Sequence, residues 1–212
     1  LGPLTGEAGT LMYWGSPNRL FRLTLDKMLA PLRKSGYVGY IDINCIVNKE
    51  AVYPLEFTSR FGYPTIQIQL EGIVSGAGEW LSRLARGESF RIKVKNGFQV
   101  GVVIFTPPAL SEGDATETVE MYRNLAINFK NKKNLQGVHI GDIKKDRNNV
   151  WRIAGASGWN LVVTGSGVSV DRAREVAYKR IENIQIPNMF YRSDIGENWE
   201  RVRDKLWMWG YI

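Results

Sequence analysis

Two antiparallel hairpins and a set of amphipathic helices, read from the residue pattern, predict an α+β fold. The first hairpin joins residues 37–47, rich in the β-formers Tyr40, Ile41, Ile43, Cys45, Ile46 and Val47, to residues 51–57. Asn48, Lys49 and Glu50 form the tight turn between them. The second hairpin joins residues 90–94 to 99–105 across Asn96-Gly97, a pair that tolerates positive φ. The clearest helix covers residues 170–184. Val170, Ala173, Val176, Ala177, Ile181 and Ile184 share one face, Ser169 is placed to cap it, and Pro187 follows.

The remaining elements follow from the same signals. Residues 18–34 predict a helix from Leu20, Leu23, Met28, Leu29 and Leu32, with Gly36 as a stop and Pro31 expected to end or kink it. Residues 71–86 predict another, with Ile73, Val74, Ala77, Trp80, Leu81 and Leu84 on one face. Gly76 and Gly78 weaken it by about 1 kcal/mol each relative to alanine. The polar, glycine-containing stretch 110–116 is the best internal boundary. Short strands are expected at 138–143, 150–154 and 161–165, and the tail 199–212 reads as a terminal helix docked by Trp207 and Trp209.

Composition narrows the function classes. The chain has 212 residues, 44% of them hydrophobic and 23% charged, as in globular proteins rather than disordered ones. A single cysteine, Cys45, excludes an internal disulfide scaffold, and its apolar neighbours read it as a small buried hydrophobe. A single histidine, His139, excludes His-rich zinc sites and is expected to be a partner-bonded structural residue. No apolar run approaches the length of a membrane span, and no signal peptide opens the chain, so a reduced, cytoplasmic setting is expected. The formal charge is +7, from 28 Lys and Arg against 21 Asp and Glu. The densest basic runs, residues 130–133 and 144–147, are interleaved with Asn and Asp and lack regularly spaced aromatics. They read as solvated turns rather than a nucleic-acid surface.

The first hairpin carries the chemistry. Period two puts Asp42 and Asn44 on one face of its first strand, and Glu56 and Thr58 on one face of the return strand. Hard oxygens on a rigid sheet suit Mg²⁺, and Arg60 follows closely as a clamp for phosphate or carboxylate. The same pattern also describes a sheet with one solvated polar face, and spacing alone leaves both readings open.

The stretch Pro54-Leu-Glu-Phe-Thr-Ser-Arg-Phe-Gly-Tyr-Pro-Thr-Ile-Gln67 resembles a motif of the phosphoribosylamine–glycine ligase (glycinamide ribonucleotide synthetase) family, roughly Ile-Glu-Phe-Asn-x-Arg-Phe-Gly-Asp-Pro-Glu-x-Gln. Leu4-Thr-Gly-Glu-Ala-Gly-Thr10 resembles that family's Asn-Thr-Gly-Gly-Met-Gly loop. Residues 155–177 resemble its C-terminal glycine-rich run and following helix. Ile186-Pro-Asn-Met-Phe-Tyr-Arg-Ser-Asp-Ile-Gly196 resembles its closing Pro-x-Met-x-Tyr-Arg-x-Asp-Ile-Gly, the most specific of the four matches.

The resemblance implies the second half of an ATP-grasp domain in residues 1–112, an antiparallel sheet with helices, and a small mixed α/β domain in residues 113–212. It implies a nucleotide-binding ligase of purine biosynthesis that uses ATP and Mg²⁺ to activate glycine as an acyl phosphate, which phosphoribosylamine attacks. The chain would then be the C-terminal part of a longer protein, partnered by an N-terminal half and inactive alone. Glu56 matches the family's metal-binding Glu, Arg60 matches an Arg placed to meet an anionic substrate group, and Thr5 and Gly6 match a loop lining the substrate and nucleotide site.

The sequence also departs from the family. Thr58 replaces a metal-binding Asn, Tyr63 and Thr65 replace an Asp and a Glu, and Glu7 enters the glycine-rich loop. Asp42 and Asn44 stand where the family is apolar, and can supply replacement ligands to a rearranged metal site. Two other functions fit these departures: a ligase for another carboxylate and amine, or a non-catalytic homologue acting as a binding or assembly module.

Overall fold

The computed structural model describes residues 5, 7–110, 116–155 and 157–212. In chain order they form β1 (Gly9–Tyr13), α1 (Arg19–Leu23), α2 (Leu25–Lys34), β2 (Asp42–Val47), β3 (Val52–Thr58), α3 (Thr65–Gly72), α4 (Ala77–Ala85), β4 (Phe98–Phe105), α5 (Thr116–Tyr122), β5 (Asn128–Phe129), β6 (Val138–Ile140), β7 (Ile143–Lys145), β8 (Trp151–Ile153), β9 (Trp159–Gly167), α6 (Val170–Ile181), β10 (Ile184–Gln185) and α7 (Trp199–Met208). The fold is α+β with antiparallel sheets, as the residue pattern predicts. The largest sheet has four strands in the order β1-β4-β9-β6. It draws strands from both sides of residue 112, while the expected division there falls within 111–115, outside the described residues.

The core lies on both faces of this sheet. Val100, Val102, Val103, Ile104 and Phe105 of β4 are fully buried, as are Leu161 and Val163 of β9. A continuous apolar run is what a strand covered on both faces requires. Each such side chain contributes about 1.5–3 kcal/mol of burial free energy. Helix α6 supplies Ala173, Ala177 and Ile181 to the core, and Ser169 caps it by accepting from Arg172 N at 3.2 Å. Helix α3 seats Ile68 against Gly101, where a Cβ would come within 2.4 Å of the Ile68 side chain.

Several elements differ from expectation for identifiable reasons. The helix at 18–34 is two helices, broken at Thr24, whose Oγ1 donates to Leu20 O at 2.6 Å. Pro31 sits inside α2 without ending it; the helix buries no residue, so the carbonyl freed by the proline can bond water. The helix at 71–86 is also two: α3 ends at Gly72, and Ile73 bridges to Val94 before α4 begins. That bridge uses the segment expected to pair with β4. Both edges of β4 are taken by distant strands instead, β1 and β9, the latter over eight residue pairs. Of the two tryptophans expected to dock the tail, Trp209 is half-buried and packs on Tyr211, with ring centroids 6.4 Å apart, but Trp207 does not dock. Trp207 is 71% exposed. Trp199 packs edge-on against Phe98 with ring centroids 5.4 Å apart, and buried Tyr211 donates to Asn48 O at 3.0 Å.

The closing motif is structural in its contacts. Phe190 and Phe105 exchange both backbone hydrogen bonds at 2.9 Å, Tyr178 Oη donates to Arg192 O at 2.9 Å, and Arg192 Nε donates to Asp194 Oδ1 at 2.7 Å.

Candidate functional site

Strands β2 and β3 pair antiparallel, with Asp42 opposite Thr58 and Asn44 opposite Glu56. All four side chains therefore share one face. Asn44 Nδ2 donates to Glu56 Oε1 at 3.0 Å, and the Thr58 hydroxyl beside the Asp42 carboxylate favours its ionised form. The turn is set by Asn48, whose Oδ1 accepts from the backbone N–H of Glu50 at 2.8 Å and of Ala51 at 2.9 Å. A bulge between Asn44 and Cys45 leaves Leu55 without a partner in the ladder and turns Cys45 and Leu55 toward the same cleft. Cys45 is consequently half-buried rather than buried, and desolvation pushes its thiol pKa up.

This face forms one wall of a cleft of about 540 Å³, which Arg60, Tyr63, Thr65, Glu7 and Thr10 also line. The segment after β3 is held by aromatic packing. Phe61 stacks on Tyr40 at 4.4 Å and meets Trp80 edge-on at 5.3 Å. Gly62 passes close to the acid: a Cβ there would lie 3.0 Å from Thr65 Oγ1 and 3.5 Å from Asp42 Oδ2. Arg60 donates to Phe61 O at 3.1 Å and forms no ion pair among the described residues, so its remaining N–H groups can meet an anion.

Two polar atoms at this cleft are buried without a partner, Asp42 Oδ1 and Tyr63 Oη. Burial pushes the Asp42 carboxyl above its ordinary value and Glu56 adds to the shift, against the Thr58 hydroxyl and Arg60. Burial and then Glu7 push the Tyr63 phenol up to about 12, so it stays an O–H donor. Its ring packs edge-on against Trp159, centroids 5.6 Å apart.

Two carboxylates, an amide and a hydroxyl on one wall fit a small hard cation. Among the described residues no group of three or more His, Cys, Asp or Glu side chains could hold a metal ion. A cation here would therefore add hydroxyl, amide, substrate or water oxygens to the two carboxylates. Of the glycine-rich loop, Gly6 lies outside the described residues, and Thr5 Oγ1 accepts from Glu7 N at 3.4 Å. Glu7 and Thr10, not Thr5, line the cleft.

Sequence reasoning missed a second polar cluster. Glu71, 8% exposed, accepts from Lys95 Nζ at 3.0 Å, Ser166 Oγ at 2.9 Å, Thr164 Oγ1 at 2.9 Å and Arg180 Nη1 at 3.0 Å. Burial pushes Glu71 up, but Lys95, Arg180 and Ser166 outweigh it and hold the carboxyl below its ordinary value. His139 Nε2 lies 3.0 Å from Thr164 Oγ1, and burial and then Arg180 hold its pKa down against Glu71. A lone acid after Ile66-Gln-Ile-Gln-Leu70 was the available signal, but its partners come from distant parts of the chain.

Known proteins resemble this chain over most of its length. No family model matches it. It is 27% identical over 215 residues to the phosphoribosylamine–glycine ligase of Corynebacterium ammoniagenes, covering 95% of this chain and 47% of that protein. It is 27% identical over 220 residues to the chloroplastic enzyme of Arabidopsis thaliana, covering 96% and 39%. The chain thus spans less than half the length of either relative. The crystal structure of the Thermotoga maritima phosphoribosylamine–glycine ligase superposes with a TM-score of 0.66 at 21% identity, over 92% of this chain and 48% of that one. The chain is distantly related to phosphoribosylamine–glycine ligases, and its α+β fold is that of part of such an enzyme.

Proposed function

We propose that this chain is the C-terminal part of an ATP- and Mg²⁺-dependent ligase that joins glycine to phosphoribosylamine, the pair named by its relatives. The observation that carries the reading is the register of β2 and β3, which brings Asp42, Asn44, Glu56 and Thr58 onto one wall of a cleft that also holds Arg60. Residues 1–112 would complete an ATP-grasp domain begun on the preceding half of the protein, and residues 113–212 would form the second domain. When bound, Mg²⁺ would supply neutralisation of the nucleotide phosphates.

The chain's own residues do the rest. Glu56 and Asp42 hold the cation, aided by Asn44 and Thr58. Arg60 orients the anionic group of the substrate against the phosphate being transferred. Glu7 and Thr10, which follow Thr5 in the chain, line the same cleft. Glu56→Gln in the full-length protein is expected to cut glycine-dependent ADP release at least 100-fold, as loss of one charged transition-state contact does. Unchanged release would refute the assignment.

One observation favours a different amine or carboxylate. The Tyr63 hydroxyl is buried at the cleft without a partner, where the related family carries a carboxylate. Turnover with glycine and phosphoribosylamine decides between the two readings.

A further inference from the structure

The two densest basic runs of the sequence, residues 130–133 and 144–147, converge in space. They flank a cleft of about 240 Å³ on the C-terminal part of the chain, with Lys132 on one side and Lys145 on the other. Phe129 and Trp151 also line it, and Asn128 and Asn149 add amide groups. The segment 124–127 that leads into β5 runs beside β8, Ile127 N donating to Trp151 O at 2.9 Å, and β7 pairs with β8, placing Lys145 opposite Trp151.

Both turns are built rather than loose. Asn183 Nδ2 donates to Asn131 O at 3.1 Å and to Asn134 O at 3.0 Å, and Asn131 Oδ1 accepts from Lys133 N at 3.0 Å. In the other turn Asp146 Oδ1 accepts from Asn148 N at 2.8 Å and Val150 N at 2.9 Å, while its second oxygen pairs with Arg152 at 2.5 Å. That pairing occupies the one acid within the basic runs. Among the described residues Lys130, Lys132, Lys133, Lys144, Lys145 and Arg147 pair with no carboxylate. Lys145 instead lies over the Trp151 ring, 4.8 Å from its centroid.

We propose that this cleft binds a phosphorylated small molecule, its phosphate held between Lys132 and Lys145. Unpaired lysines on preorganised turns attract phosphate, and the orientation of both turns is fixed before the ligand arrives. The enclosed volume suits a phosphate ester. A nucleic-acid strand would want open stacking platforms, but Phe129 is buried and Lys145 already covers Trp151.

The test uses ¹⁵N-labelled chain titrated with inorganic pyrophosphate and with AMP, read by amide shifts and calorimetry. Shifts are expected at residues 128–135 and 145–151, with affinity falling at least tenfold in K132E/K145E and unchanged in K34E, which alters an exposed lysine of α2. Both lysines are exposed, so the double variant is expected to melt like the parent. Shifts confined to the hairpin cleft, or an affinity indifferent to the two lysines, would overturn the proposal. So would tight binding of a 20-nucleotide strand that pyrophosphate cannot displace, which would mark a nucleic-acid surface instead. Binding at the hairpin cleft would show as a separate set of shifts around residues 42–65, so failure of the ligase reading and failure of this proposal are read apart.

Discussion

Asp42 carries a charge where its surroundings oppose one. Burial and Glu56 raise its pKa, so folding disfavours its ionised form and its contribution to stability falls as pH rises through its carboxylate range. Asp42→Asn removes that cost. The expected result at neutral pH is a melting temperature higher by roughly 1–3 °C together with loss of divalent-cation binding. A lower melting temperature would mean that the carboxylate is structural. Stability given up at a binding site is the pattern expected of a functional residue rather than a packing one.

At the scale of elements, the Glu71 cluster ties α3, which begins within the 54–67 stretch, to β9 and α6. Glu71→Ala strands Lys95 and Arg180 without their shared anion. It is expected to cost about 3–5 kcal/mol in urea unfolding, because removing one partner of a buried pair leaves the others uncompensated. A loss under 1 kcal/mol would contradict the burial seen here. The first hairpin was legible in the sequence because its information is local: alternation from Asp42 to Asn44, a turn-forming Asn48 and β-formers on both sides. Helix α6 was legible for the same reason. The helix boundary at Gly72 and the partners of β4 were not. Ile73 is claimed by Val94, and β4 is claimed by strands that local turn signals at Asn96-Gly97 cannot reveal. Of the site, the four hairpin residues were readable by period two. The buried Tyr63 hydroxyl and the partners of Glu71 depend on tertiary packing, which periodicity does not encode.

At the scale of the whole molecule, stability should climb with pH on the acid side. His139 and Glu71 both have folded-state pKa values below their ordinary 6.5 and 4.5. The unfolded chain therefore binds more protons in those ranges. The stabilisation is complete above 6.5, and is lost first as pH falls past the His139 range and then past that of Glu71. Melting temperatures between pH 4 and 8 are expected to fall toward acid, with the upper part of the fall removed in His139→Gln. A flat profile would deny that the buried network is charged as drawn. Among the described residues no helix is long and apolar enough to cross a membrane. The +7 charge gathers in part on the two basic turns, away from the hairpin cleft.

One face of the β2–β3 hairpin is proposed to hold a divalent cation. Mn²⁺ accepts the same oxygen ligands as Mg²⁺ and broadens nearby nuclear resonances. Titrating it into the ¹⁵N-labelled chain tests the claim most directly. Selective broadening is expected at the amides of Asp42, Asn44, Glu56 and Thr58, reversed by excess Mg²⁺ and absent in Glu56→Gln. Uniform broadening, or broadening centred elsewhere in the chain, would contradict it.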